Sequence, residues 1–133
     1  MPHVIIEYSA NMESKIDVDG LIDAVHGAAL ETGVFPEGGL RTRAARRDNF
    51  KIADGHADNG FVHFILKIGP GRDEETKKKA MEHIFAAACD YLGPTYDSSP
   101  LGLSIEVQEL PEILRINKNN LHEYVKARSE ANG

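Results

Sequence analysis

An α+β fold is what this sequence predicts: two fused β-α-β units forming a four-stranded mixed sheet with both helices on one face. Three observations predict it. Apolar, β-branched runs at 3–8 and 61–68 each lead into a stretch with apolar residues at helical spacing, and each of those leads into an alternating run, at 40–46 and 101–109. Residues 48–60, between the halves, are polar and glycine-bearing. The 133 residues, 41% of them hydrophobic, are enough chain for one shared core. Residues 1–133 are therefore expected to form a single domain, with pseudo-repeats at about 2–47 and 60–110 and a tail at 111–133. The halves repeat a pattern, not a sequence.

Within Pro2-His3-Val4-Ile5-Ile6-Glu7-Tyr8, alternation puts Pro2, Val4, Ile6 and Tyr8 on one face and His3, Ile5 and Glu7 on the other. Asn11 opens the polar stretch that ends this strand. Asp17 or Asp19 can cap a helix of about 14 residues, with Leu21, Ile22, Val25, Ala28 and Ala29 at helical spacing and Gly33 as its stop. Val34 to Gly39 reads as a turn. In the strand that follows, Arg41 and Arg43 share a face about 6.8 Å apart, a spacing suited to two carboxylates of one small molecule.

The run Phe61 to Ile68 is so nearly unbroken that burial on both faces is expected, with His63 as a satisfied core histidine. Asp73 can cap the second helix, for which Met81, Phe85, Ala88 and Leu92, beside Ile84 and Tyr91, would make the buried face and Gly93-Pro94 the end. Leu101 to Glu109 alternates as a strand, and Pro111 breaks it. A short helical stretch through Leu121, Tyr124 and Val125 follows, with Ser129 to Gly133 expected to fray. Parallel pairing inside each unit, with right-handed crossovers, leaves one sheet face bare. Ile5 and Ile65 are too apolar for solvent, so oligomerisation is expected to cover it.

Composition narrows the function. A net charge of −6 argues against nucleic acid as a partner. No stretch approaches the roughly 18 consecutive apolar residues of a membrane span, no signal-peptide pattern opens the chain, and the single cysteine, Cys89, fits a reducing compartment. These features lead to an expected cytoplasmic location. Asp54, His56 and Asp58 alternate like metal ligands, but the glycine and glutamate of a calcium loop are out of place, so a solvated turn is expected and no metal. Gly69-Pro70-Gly71-Arg72 lacks a nucleotide-loop pattern. Arg41, Arg43, Arg46, Arg47 and Lys51 form a basic exception that suits a small anionic ligand or, equally, a solvated edge strand.

Initiator methionine is usually trimmed before a small residue, which would leave Pro2 with a free secondary amine. A solvated α-amino group has a pKa of roughly 8, and burial or nearby guanidinium groups would lower it toward neutrality, where a base works best. Proline is also simply tolerated at the first position of a strand.

Taken together, Pro2-His3-Val4-Ile5-Ile6-Glu7, Gly33-Val34-Phe35-Pro36, Gly39-Leu40-Arg41-Thr42-Arg43, Ala53-Asp54-Gly55 and Phe61 through Gly69-Pro70-Gly71-Arg72 resemble the 5-carboxymethyl-2-hydroxymuconate isomerases of the tautomerase superfamily. The resemblance runs to about Asn120. It implies a fused β-α-β fold assembled as a homotrimer, and enol-keto isomerisation of a polycarboxylate in homoprotocatechuate breakdown, without metal or organic cofactor. It further implies Pro2 as catalytic base, Arg41 as the group that holds a carboxylate and polarises the oxyanion, and Arg72 and Arg43 as substrate-binding residues. Arg46-Arg47 is more basic than the family pattern. Two other functions remain compatible with the scaffold: hydration, dehalogenation or decarboxylation of a related unsaturated acid, or non-catalytic binding of an anionic partner.

Overall fold

Side-chain alternation sets the sheet. The computed structural model describes residues 1–132, and its first strand, β1 (His3–Ser9), buries Val4, Ile6 and Tyr8 while His3, Ile5 and Glu7 stay half-buried. The other strands are β2 (Arg41–Arg47), β3 (Gly60–Ile68) and β4 (Leu101–Glu109). Their order is β2-β1-β3-β4. β1 pairs in parallel with β2, setting His3 opposite Arg41, and β3 in parallel with β4, setting Gly60 opposite Leu101. β1 and β3 run antiparallel at the centre, with Ile5 opposite Ile65. The sheet is thus mixed, as expected, and each parallel pair is bridged by a helix.

Those helices, α1 (Val18–Glu31) and α2 (Glu74–Ser98), lie on one face of the sheet. The core forms where Leu21, Val25 and Ala29 of α1 and Ala80, Ile84, Ala88 and Leu92 of α2 meet Val4, Ile6, Val62, Phe64 and Leu66. Each large side chain fully removed from water there stabilises by about 1.5–3 kcal/mol. Phe64 meets Phe85 edge-on, with ring centres 6.5 Å apart. Asp17 caps α1 by position, and Gly33, at φ 70°, takes the left-handed conformation that ends it. Asp73 caps α2 through its side chain, accepting the Thr76 N–H at 2.7 Å.

Four expectations for α2 and β3 need correction. α2 does not end at Gly93-Pro94 but runs through Pro94 to Ser98. A proline withdraws one backbone donor, and here the surroundings hold the turn: the Tyr91 hydroxyl donates to the Asp17 carbonyl at 2.8 Å, Thr95 to that of Lys15 at 3.4 Å, and Ser98 back to that of Pro94 at 2.9 Å. The buried stripe of α2 is Ala80, Ile84, Ala88 and Leu92, with Met81 and Phe85 at its margin. β3 is buried on one face only; on the other, Phe61, His63, Ile65 and Lys67 are half-buried. His63 is therefore no core residue, although it is satisfied, with Ser104 Oγ 2.6 Å from Nδ1 and Glu106 Oε1 2.9 Å from Nε2.

The tail holds a third helix, α3 (Leu121–Asn132), so residues 129–132 are helical where fraying was expected; Gly133 lies outside the described residues. α3 seats on the turn Glu37–Gly39. Asn119 Nδ2 donates to the Gly38 carbonyl at 2.9 Å, and a Cβ at Gly38 would come within 2.7 Å of the His122 Cα. Before α3 the tail carries Ile113, Leu114 and Ile116 almost wholly in solvent, 84%, 83% and 98% exposed.

Candidate active site

The amino end of β1 gathers most of the residues singled out in the sequence. Pro2 is buried, with Gly39 against its ring: a Cβ on Gly39 would meet Pro2 Cδ at 3.5 Å. Parallel pairing continues one step past the strand, since the Arg41 N–H donates to the Pro2 carbonyl at 3.2 Å. The Arg41 side chain then turns back toward the chain end. Its Nη1 donates to the Gly39 carbonyl at 3.2 Å and lies 2.7 Å from the thioether sulfur of Met1. With Met1 in place the Pro2 nitrogen is an amide.

Arg72 reaches the same region from the turn after β3, where Gly71 at φ 110° reverses the chain. Its guanidinium lies 5.4 Å over the Phe35 ring and donates from Nη2 to the Val34 carbonyl at 3.1 Å and from Nη1 to the Gly69 carbonyl at 3.4 Å. A fourth residue, Arg115 of the tail, packs its guanidinium on Gly69, with Nη1 2.9 Å from where a Cβ would stand. Nothing in the sequence spacing pointed to Arg115. Its only signal was a lone arginine between apolar residues, Leu114 and Ile116.

The field at this end is positive. The Met1 amino group is held below its ordinary value, first by partial burial and then by the charges of Arg115, Arg41 and Arg72. Among the described residues, no carboxylate forms an ion pair with Arg41, Arg43, Arg72 or Arg115. By contrast, Arg46 is paired with Glu13 and Asp48, and Arg47 with Glu7 at 2.8 Å. The basic excess at 46–47 is thus neutralised within the chain, while among the described residues the charge around Pro2 is not.

Arg43 stands apart. It shares a face with Arg41, as the alternation predicts, but its Nη1 donates to His3 Nδ1 at 3.1 Å on the open face of the sheet. Burial, then Arg43 and Arg41, hold His3 below its usual pKa. In the loop at 53–60, Asp54 Oδ1 accepts from the His56 N–H at 3.2 Å and from Asn59 Nδ2 at 2.8 Å, an Asx turn. No group of three or more potential ligands is placed to hold a metal among the described residues. An open groove of about 600 Å³ lies beside Tyr8, Glu13, Thr42 and Arg43, and another of about 510 Å³ lies between α2 and β4 at Phe85 and Leu103.

Comparison with known proteins bears on this geometry. A family model described as 5-carboxymethyl-2-hydroxymuconate isomerase matches residues 2–125. The 5-carboxymethyl-2-hydroxymuconate Delta-isomerase of Escherichia coli is 37% identical over 126 residues, which cover 95% of this chain and 100% of that protein. Two crystal structures are similar throughout. A 5-carboxymethyl-2-hydroxymuconate delta-isomerase has a TM-score of 0.86 at 30% identity, covering 94% of this chain and 93% of that one. A 5-carboxymethyl-2-hydroxymuconate isomerase from Deinococcus radiodurans R1 has a TM-score of 0.86 at 34% identity, covering 93% of each chain.

Proposed function

The chain belongs to the 5-carboxymethyl-2-hydroxymuconate isomerase family, and from that premise we propose that it ketonises 5-carboxymethyl-2-hydroxymuconate in homoprotocatechuate breakdown with the Pro2 amine as general base. The observation that carries the reading is the convergence, on the amino end of β1, of guanidinium groups that pair with no carboxylate among the described residues. Removal of Met1 turns the Pro2 nitrogen from an amide into a secondary amine. It also releases Arg41 Nη1 from a thioether, a weak acceptor, for a carboxylate.

Pro2 then takes the proton of the 2-hydroxyl group and returns it to a carbon of the conjugated chain. The oxygen becomes a carbonyl and the double bonds shift; no electrons leave the substrate, so the reaction calls for no redox partner. Arg41 holds a carboxylate and stabilises the negative charge that develops on the oxygen, and Arg72, its fork fixed on Val34 and Gly69, binds another carboxylate. The same charges keep the amine neutral. Arg43, turned toward His3, is left to attract the anion from farther off.

A homotrimer, the assembly that the tautomerase resemblance implies, would cover Ile5 and Ile65 on the open sheet face and Ile113, Leu114 and Ile116 in the tail. Sedimentation should give three times the 14.6 kDa chain mass; a stable monomer would contradict the trimer. No described helix is long and apolar enough to cross a membrane, and the unpaired Cys89 accords with the cytoplasm. The function is tested by the ultraviolet absorbance of the dienol, mixed with protein whose mass shows that Met1 is gone. The expected result is decay of the dienol well above the rate in buffer. Decay at the buffer rate would refute the proposed reaction.

A further inference from the structure

We propose that Arg115 is a third substrate-binding arginine, which takes the carboxymethyl carboxylate and sets the preference for a tri-acid over a di-acid. The inference rests on the reaction proposed above and deepens it. Arg115 sits in the tail, outside the strand and turn that supply Arg41 and Arg72. It packs on Gly69, whose carbonyl also accepts from Arg72, so two guanidinium groups share one glycine. A side chain at Gly69 would occupy the place where Arg115 lies.

Two cations on one glycine, with no described carboxylate paired to either, suit an anionic ligand. Arg115 is half-buried, between two residues that are nearly fully exposed, and no described carboxylate pairs with it. The cost of holding like charges together falls once a carboxylate bridges each of them.

The substrate's own geometry matches this grouping. Of its three carboxylates, one is next to the 2-hydroxyl carbon, where the base must work. The other two both branch near carbon 5, one ending the main chain and one ending the carboxymethyl arm. Of the three arginines, Arg41 is tied to Pro2 through the backbone, while Arg72 and Arg115 both bear on Gly69. Arg41, bonded to the backbone of the base, thus meets the carboxylate beside the reacting oxygen, and the two guanidinium groups that share Gly69 meet the two carboxylates that branch near carbon 5. Arg72 is fixed by bonds to two carbonyls and suits the main-chain carboxylate. Arg115, carried on the tail, suits the arm that swings.

The test compares kcat/KM for 5-carboxymethyl-2-hydroxymuconate with that for 2-hydroxymuconate, the same dienol without the arm, in chains lacking Met1. Any effect of Arg115 on the basicity of Pro2 is common to both substrates and cancels in the ratio. In Arg115→Ala and Arg115→Gln the ratio of tri-acid to di-acid should fall by about ten- to hundredfold, carried by KM for the tri-acid. Arg115→Gln keeps most of the stem on Gly69, so it reads the charge even where Arg115→Ala disturbs the tail. Equal losses on both substrates, or an unchanged ratio, would overturn the assignment while leaving the isomerase reading intact. Wild-type protein that turns over neither dienol overturns the isomerase reading itself, and this inference with it.

Discussion

Protein that retains Met1 is expected to ketonise the dienol about 10²–10⁴-fold more slowly than the same chain beginning at Pro2, the usual weight of a positioned general base. An amide nitrogen has no basicity to offer, and the nearest amine, that of Met1, stands one residue further along the chain, about 3.8 Å from Cα to Cα. Pro2→Ala in processed protein should fall toward the low end of that loss. Alanine keeps a free amine at the chain end but lacks the ring that Gly39 braces, and with it the fixed aim of the nitrogen. Fold should be kept in both, because the side chains that β1 gives to the core, Val4, Ile6 and Tyr8, are unchanged. Steady-state rates on material characterised by mass, with circular dichroism alongside, check both outcomes.

Arg41→Ala should cost about 10²–10³ in kcat, the usual loss when a preorganised donor to a developing oxyanion is removed. It has a second signature. The charge of Arg41 helps hold the amino group at this end below its ordinary value, so its removal should raise the pKa of the Pro2 amine. In the proposed mechanism the deprotonated amine is the active form, so raising its pKa moves the acidic limb of the kcat/KM profile to higher pH. Arg41→Lys should restore the limb more fully than the rate, since an ammonium supplies charge without the two-pronged fork. A profile that stays in place while the rate falls would mean that Arg41 acts on the substrate alone.

The layout of the sheet was legible because two kinds of residue wrote it. Val4, Ile6, Val62, Phe64 and Leu66 alternate with half-buried neighbours, and Asp73 and Gly33 mark helix ends by chemistry that needs no tertiary context. Pro2 and Arg41 become neighbours as soon as β1 and β2 are paired in parallel. The end of α2 was not legible, because Pro94 is a strong local signal overridden by contacts with residues 15–17, some eighty positions away in the chain. His63 was misplaced for a related reason. An apolar run says that both faces of β3 avoid water, but not that one of them is left open in the single chain. Arg115 lay beyond any pattern, since its position depends on how an irregular tail folds back over Gly69.

The proposed base is a neutral Pro2 amine, held so by its arginine neighbours. Titration of the Pro2 nitrogen by NMR, in protein labelled with ¹⁵N-proline and lacking Met1, measures this directly. The expected result is a pKa clearly below the roughly 8 of a solvated α-amino group, coincident with the acidic limb of kcat/KM. A pKa at or above that value, or one that does not coincide with the limb, would contradict it.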